Sequence, residues 1–309
     1  MLKNPIIAFL KLIRVENLII IALTQFCIQF FVLFDFTDYT TFPIYLFGIS
    51  LLSTILIAAG GYIINDYFDV KTDKINRPDT VVLDVVIKRR WAVVLHLVFS
   101  ALGLVLGLYL ALKCHALKLL TFQIVSIILL WFYSTNLKKQ LLVGNFVVSL
   151  LTATIPIMPM VYGYYYFPGS HYSFTQLFRS STFIYIVLAY SMFAFLTSFT
   201  REIIKDMEDY KGDIQTGCKT MPIVWGIVTS KVVTFFLILI TLGILLLAVI
   251  FFLKRNELFQ AYYLCFLVIL PLLIIMFKTV VAKTNKDFKL ASLILKFVML
   301  FGIVFTYFI

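Results

Sequence analysis

The sequence predicts an all-α, polytopic membrane protein of about nine transmembrane helices. Three observations carry this. Of the 309 residues, 62% are hydrophobic and only 13% charged, with a mean hydropathy of +1.03; soluble domains run at roughly 45–50% apolar and about 25% charged. The apolar residues fall into runs long enough to span a bilayer, for which roughly 20 residues suffice. The charges between the runs are sorted by sign and by side.

The runs lie at 17–35, 43–64, 91–112, 116–133, 141–162, 181–200, 222–252, 258–280 and 290–308. The fourth is the shortest. The seventh is too long for one straight span and is expected to begin with a surface segment around Pro222. Residues 2–15 do not read as a signal peptide, because Lys3, Lys11, Arg14 and Glu16 interrupt the apolar stretch and no small-residue cleavage site follows. They read as a basic amphipathic helix on the membrane surface. Cys27, Cys114, Cys218 and Cys265 show no ligand or disulfide spacing.

Lysine and arginine mark the cytoplasmic side. With the N-terminus inside, nineteen of the 26 fall on inside segments and five outside, while Lys231 and Lys296 lie within spans. The expected topology is therefore an inner (cytoplasmic) membrane protein with its N-terminus inside and its C-terminus outside. The net charge of +11 then reflects topology and attraction to lipid head groups. A nucleic-acid partner has no support, since the basic residues flank spans, and nothing in the sequence sets an oligomeric state.

The 15 acidic residues cluster. Asp66, Asp69 and Asp73 form one DxxDxxxD pattern, and Asp206, Asp209 and Asp213 form a second, offset by 140 residues at all three positions. Both fall at the cytoplasmic end of an even-numbered span. On a helix, positions i, i+3 and i+7 share a face, so each cluster is expected to form a stripe of three carboxylates. Such stripes repel themselves and are costly near a bilayer. A divalent cation relieves the repulsion, and oxygen-only ligands suit magnesium, which takes one or two carboxylates together with substrate phosphates. Two stripes four spans apart predict a parallel internal repeat, organised as a surface helix (1–15), a first repeat (16–140), a second repeat (141–280) and a last helix (281–309). Lys71 and Arg77 follow the first cluster, Arg201, Lys205 and Lys211 bracket the second, and Lys138 and Lys139 lie between spans four and five. Cations placed where charge develops on a departing diphosphate lower the ionisation barrier. Of these, Arg77, Lys138, Arg201 and Lys205 are the stronger phosphate candidates. Lys88, Arg89, Arg90, Lys283, Lys286 and Lys289 read as topology. His96, His115 and His171 align with neither cluster and read as structural or surface residues, and the Gly60-Gly61 pair reads as a close helix approach or a kink.

These residues resemble a known family. Asn65-Asp66-x-x-Asp69-x-x-x-Asp73 followed by Arg77-Pro78 resembles the first signature of the UbiA superfamily of intramembrane prenyltransferases. Arg201-Glu202-x-x-Lys205-Asp206-x-Glu208-Asp209-x-x-Gly212-Asp213 resembles the second. Tyr133-Ser134-x-x-Leu137-Lys138 and Gly144-Asn145 resemble the loop that adds a Tyr and a Lys to the site, and Arg14-x-x-Asn17 fits the family's opening to its first span. Thr80 stands where relatives usually have Arg. The resemblance implies helices around a central cavity and magnesium-dependent transfer of a prenyl group from a prenyl diphosphate to a lipophilic acceptor. It implies metal binding by Asn65, Asp66, Asp69, Asp73, Asp206, Asp209 and Asp213. Asn65, Lys71, Arg77, Tyr133, Lys138, Arg201, Lys205 and Asn17 are the expected substrate contacts. Asp69, Asp206, Asp209, Lys138 and Arg201 are the expected catalytic residues. The motif forms look most like the subgroup of digeranylgeranylglyceryl phosphate and chlorophyll synthases, which points to a glycerol-phosphate lipid acceptor first and an aromatic acceptor second. A transporter would place its acids within spans, on the translocation path. A CDP-alcohol phosphotransferase would need a DGxxAR-type signature that the chain lacks, and the hydropathy excludes a soluble chain-elongation fold.

Overall fold

A computed structural model describes residues 4–33, 42–166 and 182–309. His171 and Arg179 lie outside them. The described residues are helical, with no strand and one isolated bridge between Leu83 and Ile87. Among the described residues, eight helices are long and apolar enough to cross a membrane, and a pair bent by 47° counts as a ninth if it is one span. The chain divides by packing into two compact units, residues Met1–Leu137 with Thr154–Leu188, and Lys138–Ala153 with Ala189–Ile309.

In the first unit, α1 (Pro5–Leu12) starts on Asn4, whose side chain accepts from Ile6 N at 2.9 Å, with Pro5 in the first turn. Ala8 and Leu12 are buried against Ile63, Val70 and Val82, while Ile6, Ile7 and Leu10 are exposed. This matches a helix lying on a membrane surface. Arg14 then turns the chain at φ 51° into the first span, α2 (Val15–Leu33), whose last turns, Ile28–Leu33, are π-helical.

The second span, α3 (Ile44–Asn76), has 33 residues. At 1.5 Å per residue it is about 50 Å long, well beyond the ~30 Å hydrocarbon core. Its last turns therefore continue past the lipid core and carry the first Asp cluster on an unbroken helix. Against it pack α4 (Arg89–Lys113) and α5 (Leu120–Thr135). Glycines set the spacing. A Cβ on Gly103 would lie 2.6 Å from Ile57 Cγ1, and one on Gly61 would lie 2.9 Å from Leu130. Ser53 Oγ donates to Gly103 O at 2.7 Å, and His96, 3% exposed, bonds Gly60 O through Nδ1 at 3.0 Å. The Gly60-Gly61 pair thus marks a close approach, in a helix that continues through it, and His96 is a structural residue. His115 is exposed in the loop after α4 at φ 51°.

The span expected at 141–162 is two helices, α6 (Val143–Thr154) and α7 (Ile157–Tyr166). The break falls at Ile155-Pro156, where the proline lacks an N–H and its ring crowds the preceding turn.

In the second unit, α8 (Thr182–Glu208), which starts in the first unit, is followed by the short α9 (Tyr210–Gln215) and α10 (Met221–Val224) and by α11 (Gly226–Lys254). The expected surface segment around Pro222 is α10, separated from α11 by Trp225 and by Gly226 at φ 85°. With α12 (Leu258–Val281) and α13 (Asn285–Val304), α11 encloses a core that includes Ile203, Ile204, Leu242, Val268, Ile275 and Leu295. Lys231, an expected intramembrane charge, donates to Val280 O at 3.0 Å and to Ala282 O at 2.5 Å, so it satisfies carbonyls at the C-terminal end of α12. Thr284 and Asp287 close a capping box on α13.

Gly103→Leu is expected to destabilise the protein by about 1–3 kcal/mol or more through overpacking. Gly48→Leu, at a position with nothing within 4 Å of an added Cβ, should leave the thermal midpoint of the detergent-solubilised protein unchanged. Equal midpoints for the two variants would contradict this packing.

Candidate active site

The first acidic cluster sits on the end of α3. Asp66, Asp69 and Asp73 share one stripe, as the spacing predicted, and are near enough for their charges to act on one another, with Arg14 and Arg77 opposing. Asn65 Nδ2 donates to Asp69 Oδ2 at 2.8 Å, one helical turn on. Arg14 Nη2 meets Asp66 Oδ1 at 2.7 Å, and its guanidinium lies 5.2 Å from the centre of the Tyr62 ring. Burial works against the arginine's charge. Asp66, together with Tyr62 and Tyr133, outweighs it, so Arg14 holds its proton more tightly than an ordinary arginine. A non-glycine residue at φ 51° costs about 1–2 kcal/mol; this bent backbone is what brings Arg14 to the stripe. Tyr133 is within electrostatic reach of Arg14.

Two expected contacts fall elsewhere. Lys71 comes five residues after Asp66, about 140° round the helix, and is exposed on the side away from the stripe. Nearness in sequence suggests it, whereas its helical face differs from that of the three aspartates. Asn17, in the first turn of α2, donates its backbone N–H to Arg14 O at 2.8 Å, and its side chain has no hydrogen-bond partner among the described residues. Arg89, read from sequence as topology, donates to Tyr67 O at 3.0 Å and lies 4.3 Å from the Tyr67 ring centre, which ties the loop after Asn76 back to α3. In that loop Thr80, in place of the expected Arg, donates to Arg77 O at 2.9 Å and closes a turn.

The second acidic cluster departs from the predicted stripe. The helix α8 ends at Glu208. Asp209 sits at φ −90°, ψ 5°, outside regular helix, and Asp213 is on α9. Asp209 N still reaches back to Lys205 O at 2.8 Å, so the break is one residue wide. Asp206 and Asp213 remain near enough for their charges to interact. Asn145 in the first turn of α6 donates through Nδ2 to Asp206 Oδ2 at 2.7 Å. Glu202, 9% exposed, accepts from Arg201 Nη1 at 3.3 Å and from Lys205 Nζ at 3.3 and 3.4 Å. The turn carrying Lys138, Leu137–Lys139, is held to the second motif where Lys219 N donates to Lys139 O at 2.8 Å.

Each leading aspartate is thus anchored from the start of a helix far away in sequence, Asp66 by Arg14 and Asp206 by Asn145. Arg14 and Asn145 were visible only as parts of motif resemblances, and Glu202 only as a letter in the second one. Asn145 did carry a signal: an amide in the first turn of an apolar helix needs a partner.

The donors suit magnesium. All are carboxylate or amide oxygens, and magnesium keeps waters and takes phosphate oxygens beside one or two carboxylates.

Comparison with known proteins agrees. The UbiA prenyltransferase family profile matches residues 22–301. The chain is 31% identical over 284 residues to the digeranylgeranylglyceryl phosphate synthase of Sulfolobus acidocaldarius, covering 90% of each, and 33% identical over 220 residues to that of Sulfurisphaera tokodaii, covering 71% of this chain and 70% of the other. Among solved structures it shares its fold with a UbiA homolog from Archaeoglobus fulgidus bound to GPP and Mg2+ (TM-score 0.61, 17% identity, 97% and 99% of the chains). It also shares it with a structure described as giving insights into digeranylgeranylglyceryl phosphate synthase in membranes (TM-score 0.62, 22% identity, 98% and 99%). The chain therefore belongs to the UbiA prenyltransferase family and is an integral, multi-pass membrane enzyme that transfers prenyl groups.

Proposed function

We propose that this enzyme transfers a geranylgeranyl group from its diphosphate to the hydroxyl of a glycerol-phosphate lipid, geranylgeranylglyceryl phosphate, with release of pyrophosphate and with magnesium bound. The observation that carries the acceptor is the likeness over 90% of the chain to a relative named digeranylgeranylglyceryl phosphate synthase. The paired DxxDxxxD clusters carry the diphosphate and the metal.

Asp66, Asp69 and Asp73, with Asn65, and Asp206, Asp209 and Asp213 would hold magnesium. Magnesium supplies neutralisation of charge on the diphosphate oxygens. Arg77, Arg201, Lys205 and Lys138 share the diphosphate charge as the allylic carbon–oxygen bond loosens. The acceptor oxygen then forms the new ether bond, and its proton and pyrophosphate depart. Asn65 and Asn145 fix the carboxylates to which they donate, so the ligand oxygens are oriented before substrate arrives. Tyr62 and Tyr133 place aromatic faces beside the first acidic cluster, where they can favour positive charge.

The reading extends to orientation: the Asp clusters and the N-terminus face the cytoplasm and the C-terminus faces outside. The lysine and arginine asymmetry supports it.

Purified protein given labelled geranylgeranyl diphosphate and magnesium should prenylate geranylgeranylglyceryl phosphate and leave a homogentisate-like aromatic acceptor unchanged. Transfer to the aromatic alone would overturn the acceptor. Asp69→Ala and Asp209→Ala should each lower kcat/KM at least about a hundredfold, the scale of losing a group that stabilises developing charge, with the folded yield retained. Lys71→Ala, on the far face of α3, should stay within about twofold. Full activity in either aspartate variant would remove the proposed site.

A further inference from the structure

We propose that Glu202 is an internal stand-in for the diphosphate: its carboxylate occupies Arg201 and Lys205 and is displaced from them when a diphosphate binds. This rests on the reading of the second acidic cluster as a diphosphate site and assigns to it a competing group. Three observations carry it. Both cations converge on one acceptor, with Arg201 Nη1 and Lys205 Nζ each 3.3 Å from Glu202 Oε1. These contacts are long for charge-assisted bonds, which settle at roughly 2.7–2.9 Å, so the carboxylate holds the cations loosely. And Arg201 Nε, a third donor on the same pair of side chains, is buried without a hydrogen-bond partner. The Glu202 carboxylate leaves part of the Arg201 guanidinium fork unmatched, whereas the more numerous oxygens of a diphosphate can match it.

The surrounding charges point the same way. Glu202 pairs with Arg201 and Lys205, and Glu202, Lys205 and Asp213 all act on Asp206. A divalent cation at Asp206 adds positive charge beside the two basic groups, and a polyanion is the ligand that restores balance. Glu202 keeps two half-buried cations compensated and oriented until substrate arrives. Unpaired, their burial would be costly.

The test measures binding of inorganic pyrophosphate to the full-length detergent-solubilised protein across a magnesium titration. Glu202→Gln removes the competing charge at constant shape. It should bind pyrophosphate about three- to tenfold more tightly, the scale of one or two partly exposed ion pairs, with the magnesium half-saturation unchanged. Glu202→Asp keeps the charge but falls one methylene short of both cations, so it should tighten binding by less; it is the informative variant if Glu202→Gln does not fold. Equal or weaker pyrophosphate binding would overturn the proposal by making Glu202 a support for the cations. A raised magnesium half-saturation would overturn it by making Glu202 a metal ligand, a role open to it because it shares a helical face with Asp206. Asp209→Ala, run in parallel, tests the underlying reading separately. It should lose magnesium-dependent pyrophosphate binding, and wild-type binding there would reject the site whatever the Glu202 variants do.

Discussion

Three carboxylates spaced over about 10 Å of helix repel one another, and partial burial by the surrounding protein strengthens that repulsion. The rest of this architecture answers that constraint. On α3 the answer is cationic: Arg14 pairs with Asp66, and Arg77 opposes Asp73. On α8 it is mixed: an amide from Asn145 and the charge of Lys205 act on Asp206. Neither answer is complete, which leaves both clusters with anionic character for a divalent ion to balance.

The backbone is bent to serve these contacts. Arg14 adopts a left-handed conformation between α1 and α2, with no side-chain cap on α2, and its side chain goes to Asp66 instead. The length of α3 places its Asp stripe past the apolar core on the same rigid rod that packs against α4 through Gly60 and Gly103. A helix is a precise mount, so the first three carboxylates are set by packing well inside the membrane. The second cluster trades that rigidity for a joint at Asp209, which lets Asp213 approach from a separate short helix.

Much of this was legible in the sequence. Spans follow from runs of apolar residues, and all nine expected runs correspond to spanning helices or, at 141–162, to a broken pair. The Asp66–Asp73 stripe was legible because a 3.6-residue period maps spacing to face directly. What was missed depended on contacts between residues distant in the chain. Arg14 and Asp66 are 52 residues apart, and Asn145 and Asp206 are 61; no local pattern pairs them. The joint at Asp209 carries no glycine or proline at its own position to announce it. Lys71 was assigned by adjacency where the helical face should have decided. Pro156 was a visible break signal inside an otherwise continuous apolar run.

The most direct measurement is electron paramagnetic resonance of manganese, substituted for magnesium, on protein holding a slowly ionising geranylgeranyl thiolodiphosphate. If the carboxylate stripes trap the metal against the diphosphate, the bound manganese will show phosphorus hyperfine coupling, and Asp69→Asn and Asp209→Asn will each weaken or abolish that signal. Undiminished phosphorus-coupled manganese in both variants would contradict the account.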